Sequence, residues 1–342
     1  MFVSSKESKF VRNACDAMLR SRGKCLTLSI PFVVILASLI GGCRARHMQV
    51  VAIVPRTTGM SLWEAAHEGA EAAAATAHLS TYWNAPTRED DINSQIALVN
   101  RVIDGGYSGI ILSPDQPLAL MTPVRRGLAK GIPMVIFGSP LSMPPGGKLT
   151  YILSDENQAG SLAAMRVGEL LHGKGTIAIV GINFDIIGVV DRVRAFETVL
   201  HGQFPGVTIA EKKTGSFNVP YEQQATEEVL IAHPNLDAIV AVTADATRGS
   251  YAALDELHML HRVRLIGFDQ DLIQPIVTGD LDSVVVEDTY DMGYRAVELI
   301  DDQLHGKTVP ALIKVSPRLV TRSNLNLPEI RRILALDSEW NQ

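Results

Sequence analysis

Cysteine is almost absent from this 342-residue chain: Cys15, Cys25 and Cys43 are the only three, all within the first 43 residues. The body beyond them therefore has no disulfide, no thiolate nucleophile and no cysteine-based zinc cluster. A domain of this size has core enough to manage without bridges. Aromatic residues make up only 6% of the chain, so an aromatic at a strand end or in a loop carries unusual weight. Positive charge is also short, with 31 Lys and Arg against 37 Asp and Glu. Residues 1–42 hold six of the positive and two of the negative side chains, which leaves 25 against 35 and a formal −10. A body that acidic excludes the wrapping of nucleic acid, which needs a basic face.

Enzyme signatures are missing as well. His67-Glu68 lacks the second histidine of a zincin helix, and no Gly-x-Ser-x-Gly elbow occurs. Gly173-Lys174-Gly175-Thr176 lacks the glycine spacing and the preceding strand of a phosphate loop, and reads as a helix-to-strand turn. The carboxylate pairs Asp90/Asp91 and Asp301/Asp302 read as solvated helix faces, and the nine histidines are scattered. The expectation is a protein that is not an enzyme and has no cofactor and no metal.

What is present begins with a leader. Lys24 precedes a charge-free run of fifteen residues, Leu26 to Ile40, short of the roughly 20 that a membrane span needs. Gly41, Gly42 and Cys43 follow, and Ile40-Gly41-Gly42-Cys43 resembles a lipobox. Residues 1–42 are expected to be a signal peptide, removed before folding, with Cys43 lipidated and residues 43–48 a tether. Met18, followed by Leu19-Arg20-Ser21-Arg22-Gly23-Lys24, is an alternative start to Met1.

After the tether, strand-like and helix-like segments alternate. Val- and Ile-rich runs at Val50–Val54, Gly109–Leu112, Pro133–Phe137, Thr176–Val180, Ala238–Val242 and Arg264–Phe268 suit parallel strands covered on both faces. Helical spacing fills Ser61–His78, Asp90–Asp104, Gln158–His172, Ile186–His201 and Tyr221–His233. Thr87 with Asp90 resembles a capping box for the second of these. Gly105, Gly131 and Gly173 stand where helices should stop. The alternation predicts open α/β sheets with right-handed crossovers. It pauses at Met143-Pro144-Pro145-Gly146-Gly147-Lys148 and resumes, so two sheets fit the length better than one.

In such sheets, ligands bind beyond the carboxyl ends of the strands. Polar residues stand at all six ends: Arg56-Thr57-Thr58, Ser113-Pro114-Asp115, Gly138-Ser139, Asn183-Phe184-Asp185, Thr243-Ala244-Asp245 and Asp269-Gln270-Asp271. Any one of them is ordinary loop polarity; the set predicts a cleft for a ligand with several hydroxyls or charges, Thr57 and Thr58 among its contacts.

Several stretches carry a family resemblance. They are Ile53-Val54-Pro55-Arg56-Thr57-Thr58 with Leu62-Trp63 and Glu68-Gly69-Ala70; Ala232-His233-Pro234-Asn235-Leu236-Asp237-Ala238; Ile266-Gly267-Phe268-Asp269; and Glu287-Asp288-Thr289-Tyr290-Asp291-Met292-Gly293-Tyr294. From Val50 to about Ile330 the chain resembles the ribose-binding group of periplasmic sugar-binding proteins that feed bacterial ABC importers. The resemblance implies the type I fold, two Rossmann-like lobes joined by three crossover strands near Ser154, Val286 and Ser316. Lobe one would comprise 49–153 and 287–315, and lobe two 154–286 and 317–342. By position, Leu62 and Trp63 match an aromatic pair that stacks on the sugar, and Ser113 and Ser139 match polar contacts in lobe one. Phe217 matches an opposing aromatic, Thr243 a polar contact, Asp269 a carboxylate taking two hydroxyls, and Glu287 a polar residue at a crossover. Gly138 stands where Asp is common and Val190 where ribose binders have Arg. Arg192 fits best as a structural partner of Asp191 or of its helix, although its length also allows it to reach the cleft.

The implied role is capture of a small ligand, a sugar, for the membrane subunits of an importer. The implied protein is a monomeric receptor at the extracytoplasmic face of the cell envelope, lipid-anchored and without nucleic acid. A sensor subunit for a chemoreceptor or histidine kinase, including one for quorum-type furanose signals, would share these features. The lactose-repressor family shares the core too, but begins with a DNA-reading helix-turn-helix where this chain has an apolar leader.

Overall fold

A computed structural model describes residues 49–58, 61–88, 91–216, 218–268, 270–334 and 336. The expected signal peptide, Cys43, Phe217 and Asp269 lie outside the described residues.

The chain builds two six-stranded sheets in turn. The first is formed by β1 (Val50–Val54), β2 (Ser80–Trp83), β3 (Gly109–Leu112), β4 (Met134–Gly138), β5 (Leu149–Ser154) and, much later, β11 (Leu312–Val315). Its order is β11-β5-β4-β3-β1-β2, with every pairing parallel. The second holds β6 (Lys174–Ile182), β7 (Gly206–Thr214), β8 (Ala238–Ala241), β9 (Arg264–Gly267), β10 (Ser283–Val286) and β12 (Arg318–Thr321). Its order, β12-β10-β9-β8-β6-β7, repeats the first strand for strand, except that β12 runs antiparallel to β10.

The six apolar runs became β1, β3, β4, β6, β8 and β9. Their residues are buried on both faces, as in Val51–Val54 and Ile110–Leu112, which is why they lack in-out alternation. The six further strands are the inner strands β5 and β10, and the edges β2, β7, β11 and β12. An edge strand meets solvent along one side and needs no apolar run: β7 reads Gly-Val-Thr-Ile-Ala-Glu-Lys-Lys-Thr and is mostly half-buried or exposed.

Between the strands of the first sheet run α1 (Ser61–Ala77), α2 (Ile92–Asp104) and α3 (Met121–Ala129). The second sheet is served by α4 (Glu156–Leu170), α5 (Ile187–Gln203), α6 (Val219–Ala232), α7 (Ala244–Glu256) and the short α8 (Ile273–Thr278). α9 (Thr289–Leu304) and α10 (Pro328–Ile333) follow. Asp90 of the expected capping box lies outside the described residues; Asp91 caps α2, its carboxylate accepting the Ser94 N–H at 3.1 Å. Asp91 directly precedes the first helical residue, where a side-chain oxygen reaches the free amide of the third position.

Three passages link the sheets. β5 ends at Ser154 and Asp155 caps α4 (to Gln158 N, 3.1 Å). β10 ends at Val286 and Asp288 caps α9 (to Asp291 N, 3.0 Å). β11 ends at Val315 and the chain re-enters the second sheet at Arg318. Each sheet thus has an incoming helix laid against one of its own: α9 on α1, and α4 on α5. Both contacts are backbone-close. A Cβ at Gly293 would sit 2.0 Å from the Ala66 carbonyl, and one at Gly160 would sit 2.0 Å from that of Arg192. Among the described residues, no helix is long and apolar enough to cross a membrane.

Candidate functional site

Because β1, β3 and β4 are parallel neighbours, their carboxyl ends share one rim; Ser113 and Ser139 follow β3 and β4 directly, and Arg56 stands two residues past β1. Arg56 Nη2 donates to Ser139 Oγ, while its Nε is buried with no hydrogen-bond partner in the protein. Ser113 is fully buried, and its Oγ has no partner either. The rim is held by Gln95 of α2. Its amide nitrogen donates to the carbonyls of Ser113 (2.9 Å) and Pro55 (3.3 Å), and its oxygen accepts the Asp115 N–H at 2.9 Å. One buried amide thereby fixes the ends of two strands.

Gly138 explains its own departure from the expected Asp. Its φ is +76°, a region that L side chains rarely adopt, and a Cβ there would lie 3.2 Å from Ser113 Oγ. Trp63 Cη2 is 4.0 Å from the same point. Trp63 itself is only 3% exposed and packs edge-to-face on Phe137, centroids 5.7 Å apart. The ring is placed as a core residue of lobe one, with its indole N–H unpartnered. Leu62 is half-buried against the same core, and its carbonyl accepts from Thr289 Oγ1 at 2.9 Å. Thr57 is buried and donates to the Thr58 carbonyl at 3.1 Å, and Thr58 is exposed.

In lobe two the equivalent rim is more heavily bonded. Thr243 caps α7, its Oγ1 accepting the Ala246 N–H at 3.2 Å. Thr247 donates to the Thr243 carbonyl (2.7 Å) and accepts from the Phe268 N–H (2.9 Å), which ties the β8 and β9 ends together. After β6, Asn183 Oδ1 accepts from the Asp185 N–H, and Phe184 stands 71% exposed.

Arg192 overturns its expected pairing with Asp191. Successive helical residues point about 100° apart, whereas residues three apart share a face. Asp191 accordingly pairs with Arg194 at 3.0 Å, and Arg192 turns inward. Its Nε and Nη2 meet Glu156 Oε2 at 2.8 and 2.7 Å, and Nη1 donates to the Val242 carbonyl at 2.6 Å. Its guanidinium lies 4.2 Å over the Phe268 ring, a cation–π contact.

Glu287, at the second passage between lobes, stands 3.8 Å from Arg192 Nη2 with 31% of its side chain exposed. Burial of the carboxyl, and then the negative charge of Glu156, push its pKa up to about 7, against the opposing pull of Arg192 and Arg56. Groups from lobe one, lobe two and the hinge therefore act on one carboxyl.

The structure thus gathers Ser113 and Ser139 on one rim, with Trp63 in the core beside Gly138, and places Thr243 on the other rim and Glu287 at the passage between the lobes. Sequence reasoning placed Arg56 at a strand end without giving it a role of its own, and passed over two participants, Glu156 and Gln95. Each of Arg56 and Glu156 stands two residues past a strand end, and that position was the available signal. Gln95 lies inside a helix and gave none. Among the described residues, no group of three or more His, Cys, Asp or Glu side chains is placed to hold a metal. A separate cavity of about 480 Å³ lies at the amino ends of the lobe-two strands, around the Arg166–Asp282 pair (2.7 Å), away from these rims.

Paired α/β lobes with polar strand ends and a charged hinge group define a two-lobed binding protein. Residues 51–308 match the periplasmic binding protein domain family, and the chain belongs to it. It is 27% identical over 243 residues to the D-apiose import binding protein of Paraburkholderia graminis, covering 69% of this chain and 76% of that one. It is 26% identical over 242 residues to the ribose import binding protein of Bacillus subtilis, covering 68% and 75%. The solved arabinose-binding protein AraP of Geobacillus stearothermophilus superposes with a TM-score of 0.76 at 25% identity, over 82% of this chain and 98% of that one. The family and the type I fold read from the sequence are upheld.

Proposed function

We propose that the protein is an extracytoplasmic receptor that captures a monosaccharide-type ligand between its lobes and hands it to the membrane subunits of an ABC importer. It binds rather than catalyses, works as a monomer, and is held at the membrane through lipid on Cys43. The supporting observation is the pair of rims. Arg56, Ser113 and Ser139 stand past the ends of neighbouring strands of one sheet, and Thr243 past the end of a strand of the other, with Glu287 between. Hydrogen-bonding groups so arranged suit the hydroxyls of a small polyol, and closure of the hinge would bring both sets onto it. The family and its sugar-importing relatives support the same reading.

A thermal-shift screen of the purified full-length chain against pentoses, hexoses, polyols and nucleosides tests it. A ligand at about 100 times its Kd stabilises by roughly 2.7 kcal/mol. No shift from any member of the panel, on protein shown folded by circular dichroism, would reject the sugar assignment. Incorporation of labelled palmitate that vanishes in Cys43→Ala tests the anchor separately.

A further inference from the structure

We infer that the ligand of this cleft carries a carboxylate seated on lobe one against Arg56, Ser113 and Ser139, so that the substrate class is a sugar acid. This rests on the receptor reading above. The main arginines near the cleft and hinge are spoken for: Arg192 by Glu156 and Arg248 by Asp271. Arg56 differs. Among the described residues, no carboxylate oxygen comes within 4.0 Å of its guanidinium, and its hydrogen-bond partner is the neutral hydroxyl of Ser139. Its buried Nε points a further N–H at no protein acceptor. A partly buried guanidinium without an anion is an uncompensated charge, and a ligand anion would compensate it.

The surroundings fit a small monoanion. β1, β3 and β4 are adjacent in the sheet, so the groups that end them lie within about 10 Å of one another. Ser113 Oγ, fully buried and unpartnered, supplies a hydroxyl donor beside Gly138. Glycine at 138 brings no carboxylate to that strand end, and no described residue of lobe one neutralises Arg56. Glu287 is the carboxyl that acts on Arg56 through space, but burial and Glu156 hold its proton on toward neutral pH. It is therefore an incomplete counter-ion and remains available to accept or donate to ligand hydroxyls. A carboxylate takes two parallel N–H bonds from a guanidinium edge, and its single charge matches the one cation at this rim, where a phosphate dianion would keep an excess negative charge.

The test pairs each acid with its neutral counterpart on the full-length chain by calorimetric titration: D-galacturonate with D-galactose, D-glucuronate and D-gluconate with D-glucose, and glucose 6-phosphate as a further arm. One acid should bind at least ~10-fold tighter than its neutral partner, and Arg56→Gln should bring that ratio toward one, a loss of ~10- to 100-fold for the acid. Arg56→Lys should keep part of the preference. If Arg56→Gln does not fold, Ser139→Ala and a salt series take its place, since acid affinity alone should fall with ionic strength. A neutral sugar binding as tightly as its acid overturns the carboxylate assignment and leaves the receptor reading standing. Preference for the phosphate also overturns it. Silence from all these acids and sugars overturns the carboxylate assignment, and the broader thermal-shift screen then decides the receptor reading.

Discussion

The two lobes are built to one plan, yet each uses its rim arginine differently. In lobe two, Arg192 is saturated: Glu156, the Val242 carbonyl and the Phe268 ring fix it, and Glu287 stands near. In lobe one, Arg56 rests on a single hydroxyl and keeps one buried N–H unpartnered. The first is a strut that holds a strand end, a helix and the hinge in register. The second is a group held ready. Equivalent topology therefore does not mean equivalent function at equivalent rims, and counting hydrogen bonds on a side chain separates scaffold from contact.

Removing the strut should produce the largest effect. Arg192→Met leaves Glu156 as a buried carboxylate without a partner, and breaking one side of such a pair costs about 3–5 kcal/mol. Urea denaturation would measure it. Adding Glu156→Leu should recover much of the loss, because an apolar pair often replaces a buried ion pair at little cost. Arg56→Met should cost less, because the loss of a hydrogen bond to a charged group, about 1.5–3 kcal/mol, is offset by removal of a charge with no anion beside it. Equal losses for the two arginines would erase the distinction between strut and contact.

Next come the helix contacts that the lobes share. Gly293→Ala in lobe one and Gly160→Ala in lobe two each drive a methyl group to 2.0 Å from a helix carbonyl. The helices must separate, at roughly 1–3 kcal/mol each. Thermal melts of the two variants should shift by similar amounts; a large inequality would show that one lobe repacks more freely than the other.

These contacts also mark what the sequence could reveal. Of the inner strands, β1, β3, β4, β6, β8 and β9 announced themselves, because strands buried on both faces are apolar; β5 and β10 were missed although they are buried as well. The edges β2, β7, β11 and β12 did not, because solvent on one side permits Glu211, Lys212 or Arg318. The strand ends were legible by topology alone, which brought Ser113 and Ser139 into view. The inward turn of Arg192 was not legible: it depends on which helix face meets the sheet, and the adjacent Asp191 offered a nearer partner in sequence than in space. Gly138 could be seen as a departure, but its positive φ could not. Gln95 was hidden because a glutamine inside a helix looks the same whether it faces water or braces two strand ends.

A smaller effect should come from the caps at the passages. Asp155 and Asp288 stand at matching places, each after a strand that leaves its sheet and each capping the helix that enters the other lobe. Asp155→Ala and Asp288→Ala should each lose about 1 kcal/mol, within the range of N-cap removals. Hydrogen exchange of the Gln158 and Asp291 amides would localise the loss to the capped turn. Unchanged protection at either amide would show that the cap there is dispensable.

The smallest effect is a dependence on pH that lobe one and lobe two set jointly. Glu287 has a folded pKa of about 7, raised from 4.5 by burial and by Glu156 and moderated by Arg192 and Arg56. Between those two values the folded chain holds a proton that the unfolded chain has released. Stability must therefore fall as pH rises from about 4.5 to about 7, and level off above. With a third of the side chain in contact with solvent, the slope is shallow. Glu287→Gln should remove this part of the slope, which stability curves taken at pH 5, 6, 7 and 8 would resolve. Arg56→Gln should steepen it slightly and Glu156→Gln should flatten it, because the first withdraws a positive charge from Glu287 and the second a negative one. If Arg56→Gln leaves the slope untouched, the charge of lobe one does not reach the hinge carboxyl, and Glu287 answers to lobe two alone.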